Sequence, residues 1–174
     1  NLPFLDEPEI PAKGNYKNEH TKKWSNLIKQ YDGFVLVYPQ YNWGYPAVLK
    51  NALDCLYAEW ENKPVSLMVY GGHGGFQGLI SLKLVTQGLN MYNMSVNPPL
   101  SISKEMFDES NQFIDIDSAF NPIQNQVKSR RDARAAQNCP VIDKHPIFQH
   151  VSGRAPLPQL IGQLMMRGAF HLLQ

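Results

Sequence analysis

Two segments of the chain are apolar at nearly every position. Phe34-Val35-Leu36-Val37-Tyr38 runs from Asp32-Gly33 to Pro39, and Val65-Ser66-Leu67-Met68-Val69-Tyr70 runs from Pro64 to Gly71-Gly72. A short run that is apolar on both faces predicts a strand buried between layers, as in a parallel sheet. A weaker third strand is expected at Met94-Ser95-Val96, before Pro98-Pro99, with Leu100 and Ile102 beyond. Helical spacing fills the intervals. Trp24, Leu27, Ile28 and Tyr31 recur at i, i+3, i+4 and i+7, one face of a helix ahead of the first strand. Pro46 suits the first position of a helix, and Leu49, Ala52, Leu53, Leu56, Tyr57 and Trp60 keep the helical period after it. Further helices are expected over 77–89 and over 118–128, the latter with Phe120, Ile123 and Val127 on one side. Strands alternating with helices predict βαβ units, hence an α/β fold around a parallel sheet.

Composition narrows the function classes. In a chain of 174 residues, 43% apolar and 11% aromatic positions are enough to bury a core, which excludes disorder throughout and a disulfide-stapled miniature. The net charge is +1, so no global field points to nucleic acid or to a membrane surface. Cys55 and Cys139 form no C-x-x-C pair, and no apolar run approaches the ~18 residues of a membrane span. With no secretory leader in view, a soluble, cytoplasmic protein is expected. The charge is nonetheless uneven. All five arginines lie within residues 130–174, all eight tyrosines lie before residue 93, and residues 1–129 carry a net −3. Residues 1–129 are therefore read as one domain, and 130–174 as a basic tail, irregular or with a short helix around Leu157–Met165.

Both strong strands end in unusual loops, and open α/β sheets bind ligands at the carboxyl ends of their strands. The first loop, Pro39-Gln40-Tyr41-Asn42-Trp43-Gly44-Tyr45-Pro46, combines aromatic faces, carboxamides and a restricted backbone. That inventory suits a flat heteroaromatic ligand, whose faces meet rings while amides read its polar edge. An aromatic loop packed on itself is the alternative. The second loop, Gly71-Gly72-His73-Gly74-Gly75, lets backbone approach a ligand closely. It is no phosphate motif: G-x-x-x-x-G-K-[ST] is absent, and Gln77 stands where the dinucleotide pattern needs a glycine. A ligand-free glycine turn, with His73 solvated, is the alternative there. G-x-S-x-G and H-E-x-x-H are also absent, and the tail histidines follow no zinc spacing, so no metal site is expected.

The stretch from Pro39 to Asp54, PQYNWGYPAVLKNALD, resembles the signature of the NAD(P)H-dependent FMN reductases, flavodoxin-like quinone and azo-compound reductases. Tyr70-Gly71-Gly72-His73-Gly74-Gly75, following Glu59-Trp60 and Lys63-Pro64, is similar to the second flavin loop of the fungal form. The resemblance covers residues 1–100 closely and 101–129 loosely, and the tail lies outside it. It implies a flavodoxin-like open parallel sheet, order 2-1-3-4-5, with helices on both faces. It also implies FMN bordered by Pro39, Gln40, Tyr41, Asn42, Trp43 and Gly44 and touched by Gly71, Gly72, His73 and Gly74. NAD(P)H would be the co-substrate and a quinone, azo compound or flavin the small-molecule acceptor. No side-chain acid or base is expected, because the flavin carries the chemistry. A homodimer with sites near the subunit interface is implied as well. The family's first strand, with its phosphate loop, first helix and most of its second strand are expected to be missing, an N-terminally truncated arrangement. Two alternatives stay open beside the reductase: a flavin-bound electron carrier, and a non-catalytic remnant that binds FMN weakly.

Overall fold

A computed structural model describes residues 2–71, 74–95, 97 and 100–115. The two apolar runs form parallel strands, β1 (Phe34–Pro39) and β2 (Pro64–Gly71), paired in register from Phe34 opposite Val65 to Pro39 opposite Tyr70. Three helices precede and connect the strands: α1 (Glu19–Ile28), α2 (Ala47–Asp54) and α3 (Phe76–Gly88). The result is an open parallel α/β sheet of flavodoxin-like kind, with β2 between β1 and the segment that follows α3.

That segment is where the expected third strand departs from prediction. Pairing begins earlier, at β3 (Tyr92–Asn93), and resumes at β4 (Leu100–Ser101), both parallel to β2. Met94 N–H still donates to Val65 O at 2.9 Å. The Asn97 carboxamide then takes over, its Oδ1 accepting from Leu67 N–H at 2.8 Å and its Nδ2 donating to Met94 O. A side chain thus supplies the acceptor that a regular strand would have offered. Val96, Pro98 and Pro99 lie outside the described residues.

Side chains alternate across a strand, so Phe34, Leu36 and Tyr38 share a face with Val65, Leu67 and Val69. That face joins Ile28 of α1, Leu49 and Leu53 of α2, and Leu79 and Leu82 of α3 in one core. Each such side chain contributes roughly 1.5–3 kcal/mol by leaving water. The second predicted helix is shorter than its periodicity suggests: α2 ends at Asp54, yet Leu56 and Trp60 are fully buried. The chain turns instead of continuing, with Leu56 N–H donating to Leu53 O, and the Trp60 indole N–H donates to the same carbonyl at 3.0 Å. Trp60 stands edge-on to Phe34 and Trp24, with ring centroids 5.1 and 6.3 Å away. Apolar spacing outlived the helix here because the following turn buries the same face.

The first predicted helix also ends early, at Ile28. Leu27 is on the exposed side, whereas Thr21 and Ser25 are buried with Ile28. At Ser25 the reason is Glu59, itself buried: its carboxylate accepts from Ser25 Oγ at 2.6 Å and Tyr16 Oη at 2.8 Å. Burial alone would raise the Glu59 pKa, but these hydrogen bonds outweigh it and hold the carboxyl below its ordinary value. No described helix is long and apolar enough to cross a membrane. The expected helix at 118–128 and the whole of 130–174 lie outside the described residues.

Candidate functional site

The two loops predicted to carry chemistry adjoin each other at the carboxyl ends of β1 and β2. Gln40 N–H donates to Tyr70 O at 2.8 Å, and a Cβ placed on Gly71 would lie 3.6 Å from Gln40 Cβ. Beyond Gln40 the chain makes a tight hairpin. Tyr41 N–H donates to Gly44 O at 3.0 Å, and Gly44 N–H donates to Tyr41 O at 2.8 Å. Its two central residues, Asn42 and Trp43, have φ of 46° and 66°. Positive φ at both positions is the mark of a mirror-image turn, which asparagine tolerates and tryptophan does not favour. Trp43 is nevertheless 71% exposed and Tyr41 62%, so burial of their rings does not explain the conformation. A turn held against its preference, presenting two aromatic rings to solvent, is the pattern expected of a binding edge.

Across from it the glycine loop turns into α3. Gly74 N–H donates to Gly71 O, and Gly74 and Gly75 both have positive φ, 73° and 69°. The two glycines have different neighbours. No described atom lies within 4 Å of a Cβ on Gly74, whereas a Cβ on Gly75 would fall 2.5 Å from Val69 Cγ2. Gly75 lets α3 close onto β2, and Gly74 leaves open space. Gly72 and His73, expected beside it, lie outside the described residues.

Three further residues belong to this neighbourhood and escaped the sequence reading. Gly78, in the first turn of α3, donates its N–H to Gln40 Oε1 at 2.8 Å, and its carbonyl accepts from Tyr38 Oη at 3.2 Å. Gln77 Oε1 is buried and, among the described residues, has no hydrogen-bond partner. A glycine inside a helical pattern was the one available signal for Gly78; Tyr38 read only as strand core. Burial pushes the Tyr38 and Tyr70 phenols above their ordinary pKa, so both stay neutral and able to donate near pH 7. Among the described residues no group of His, Cys, Asp and Glu could hold a metal ion.

The arrangement fits a flat, hydrogen-bonding ligand such as FMN on three counts: exposed rings on one side, open backbone at Gly74 on the other, and an unmet acceptor at Gln77. A separate open groove of about 600 Å³, lined by Leu2, Pro3, Phe4, Trp24, Val48, Asn51 and Ala52, shares no residue with these loops. There Asn51 holds the N-terminal segment, accepting from Leu5 N–H and donating to Pro3 O.

Comparison with known proteins points the same way. The family model described as NADPH-dependent FMN reductase matches residues 1–102. An NAD(P)H-dependent FMN reductase of Schizosaccharomyces pombe is 48% identical over 106 residues, 60% of this chain and 53% of that protein. A second enzyme so described, from Saccharomyces cerevisiae, is 47% identical over 96 residues, 52% of this chain and 50% of that protein. The chain thus spans about half the length of the curated relatives it matches. Among solved structures, the flavoenzyme NAD(P)H:(acceptor) oxidoreductase of Paracoccus denitrificans superposes with a TM-score of 0.54 at 21% identity, covering 72% of each chain. That similarity speaks to the fold alone.

Proposed function

The chain belongs to the NADPH-dependent FMN reductase family, and from that premise we propose that it is an FMN-dependent oxidoreductase taking hydride from NAD(P)H and delivering electrons to a quinone-type acceptor. The observation that carries the reading is the adjacency of the two loops at neighbouring strand ends, one presenting Tyr41 and Trp43 and the other open at Gly74. FMN, when bound, supplies the hydride acceptance and the electron transfer. The protein's own part is to bind and orient. Pro39 to Gly44 form one wall and Gly71 and Gly74 belong to the other, with open space beside Gly74 for a ring to approach.

A homodimer belongs to the same proposal. Phe76, Ile80 and Leu84 recur every four residues along α3 and are all exposed, an apolar stripe that starts next to Gly74-Gly75. A second copy covering that stripe would also close the site to water.

The test is a titration of the purified protein with FMN, followed by anaerobic NADPH and then a quinone. Saturable quenching of flavin fluorescence, bleaching by NADPH and recovery of colour on adding quinone are expected. Absence of FMN binding would sink the reading, and binding without bleaching would reduce it to a flavin carrier.

A further inference from the structure

We infer that Gln40 acts as a positioning residue that locks the aromatic hairpin onto α3, and so sets the separation of the two loops; this rests on the reading that they border FMN. The first amides of a helix have no intrahelical acceptor. In α3 the cap position is Gly75, which has no side chain to supply one. Gly78 N–H, third in the helix, is instead satisfied from outside by Gln40 Oε1 at 2.8 Å. The next group along is held from the same strand end, because Tyr38 Oη donates to Gly78 O.

The hairpin rests on the same residue. A Cβ on Gly78 would lie 3.2 Å from Gly44 O and 3.3 Å from Gln40 Oε1, closer than ordinary contacts. Gly78 has no positive φ, so its lack of a side chain matters for space and not for backbone conformation. Both ends of the Gln40–Gly44 turn are therefore seated on a single glycine of α3. With its carboxamide oxygen engaged in this way, Gln40 orients Trp43, and its effect on a ligand passes through the hairpin.

Three variants of the full chain test this: Gln40→Leu, which removes the acceptor at similar bulk; Gln40→Glu, which keeps an oxygen facing a helix N-terminus; and Gly78→Ala, which crowds Gly44 O while favouring the helix by propensity. Two readouts are taken. One needs no flavin: the rate of chymotrypsin cleavage after Tyr41 and Trp43, located by mass spectrometry. The other is the dissociation constant for FMN. Gln40→Leu and Gly78→Ala should each raise the cleavage rate and weaken FMN binding by about threefold to tenfold, the span of one net hydrogen bond. Gln40→Glu should be cleaved near the parent rate and bind FMN better than Gln40→Leu, and cleavage in Gln40→Leu and Gly78→Ala should rise at the hairpin and not elsewhere in the chain, separating lost positioning from lost stability. Parent-like cleavage in Gln40→Leu would overturn the inference. So would a Gln40→Glu protein as impaired in FMN binding as Gln40→Leu, since that would mean a direct contact through the amide nitrogen. If the parent binds no FMN, the flavin reading fails by itself and the cleavage rates still decide the lock.

Discussion

Gly74 and Gly75 are adjacent, share a left-handed backbone and differ in one respect that can be measured. Alanine at either position must adopt φ near 70°, which costs an L-residue roughly 1–2 kcal/mol. Alanine also restricts the unfolded chain, returning about 0.4–1 kcal/mol. At Gly74 nothing else is described within 4 Å of the new methyl, so Gly74→Ala should destabilise by no more than about 1.6 kcal/mol. At Gly75 the methyl would sit 2.5 Å from Val69 Cγ2 and 2.8 Å from Cγ1, and Val69 is completely buried in the strand below. Overpacking of that kind adds about 1–3 kcal/mol, so Gly75→Ala should cost roughly 1–4.6 kcal/mol in all, more than Gly74→Ala by the overpacking. Urea unfolding of both variants, compared at a common m-value, reads the difference directly. Val69→Ala provides the control. It removes both clashing methyls but leaves Cβ 3.1 Å away, so the double variant should be less unstable than the sum of the singles by about 1–2 kcal/mol. Equal costs at the two glycines, or strict additivity with Val69→Ala, would refute the claim that Gly75 exists to let α3 close onto β2. The same pair separates stability from function: Gly74→Ala should weaken FMN binding more than it weakens the fold.

Other consequences of the packing can be checked independently. Trp60→Ala, at a fully buried ring that contacts Phe34 and Trp24 and donates to Leu53 O, should cost about 3–5 kcal/mol in urea unfolding. An effect below about 1 kcal/mol would contradict its place in the core. Asn97→Ala should leave Leu67 N–H without its acceptor and cost about 1–3 kcal/mol, with faster hydrogen exchange at the Leu67 amide as the local signature. The Glu59 carboxyl has a lowered pKa in the fold, so it binds protons less readily there than in the unfolded chain. Its contribution is therefore complete above the ordinary carboxyl value near 4.5 and is lost as pH falls through the lower folded value. Glu59→Gln should flatten that part of the stability–pH curve, and an unchanged acid slope would remove Glu59 as its cause.

What could be read from the sequence follows from how local each cause is. β1 and β2 were legible because burial on both faces writes itself into consecutive residues, and the hairpin loop because its aromatic and amide inventory is contiguous. The end of α2 was not. Leu56 and Trp60 keep helical spacing for a reason unrelated to helix, since the turn after Asp54 folds the same face inward and spends the Leu53 carbonyl on an indole. Ser25 shows the opposite case: the apolar spacing of α1 gives no sign of its burial, which goes with the carboxylate of Glu59, far along the chain, that accepts from its hydroxyl.

The proposed functional edge shows the same division within a single residue. Gln40 could be singled out from composition as an amide near a strand end, and a ligand contact was the natural expectation for it. Its carboxamide oxygen meets an amide 38 residues away that helix geometry left unpaired. The need for that bond arises in α3, where a glycine cap offers nothing, and is met from β1, where only the folded register brings a side chain within reach. Sequence inspection can nominate residues for a site of this kind. Which of them hold the others in place depends on hydrogen-bond vacancies created elsewhere in the fold, and those appear only once the strands are paired. For this chain the two sets meet at Gly78, where a missing side chain, an unpaired amide and the base of the aromatic hairpin coincide.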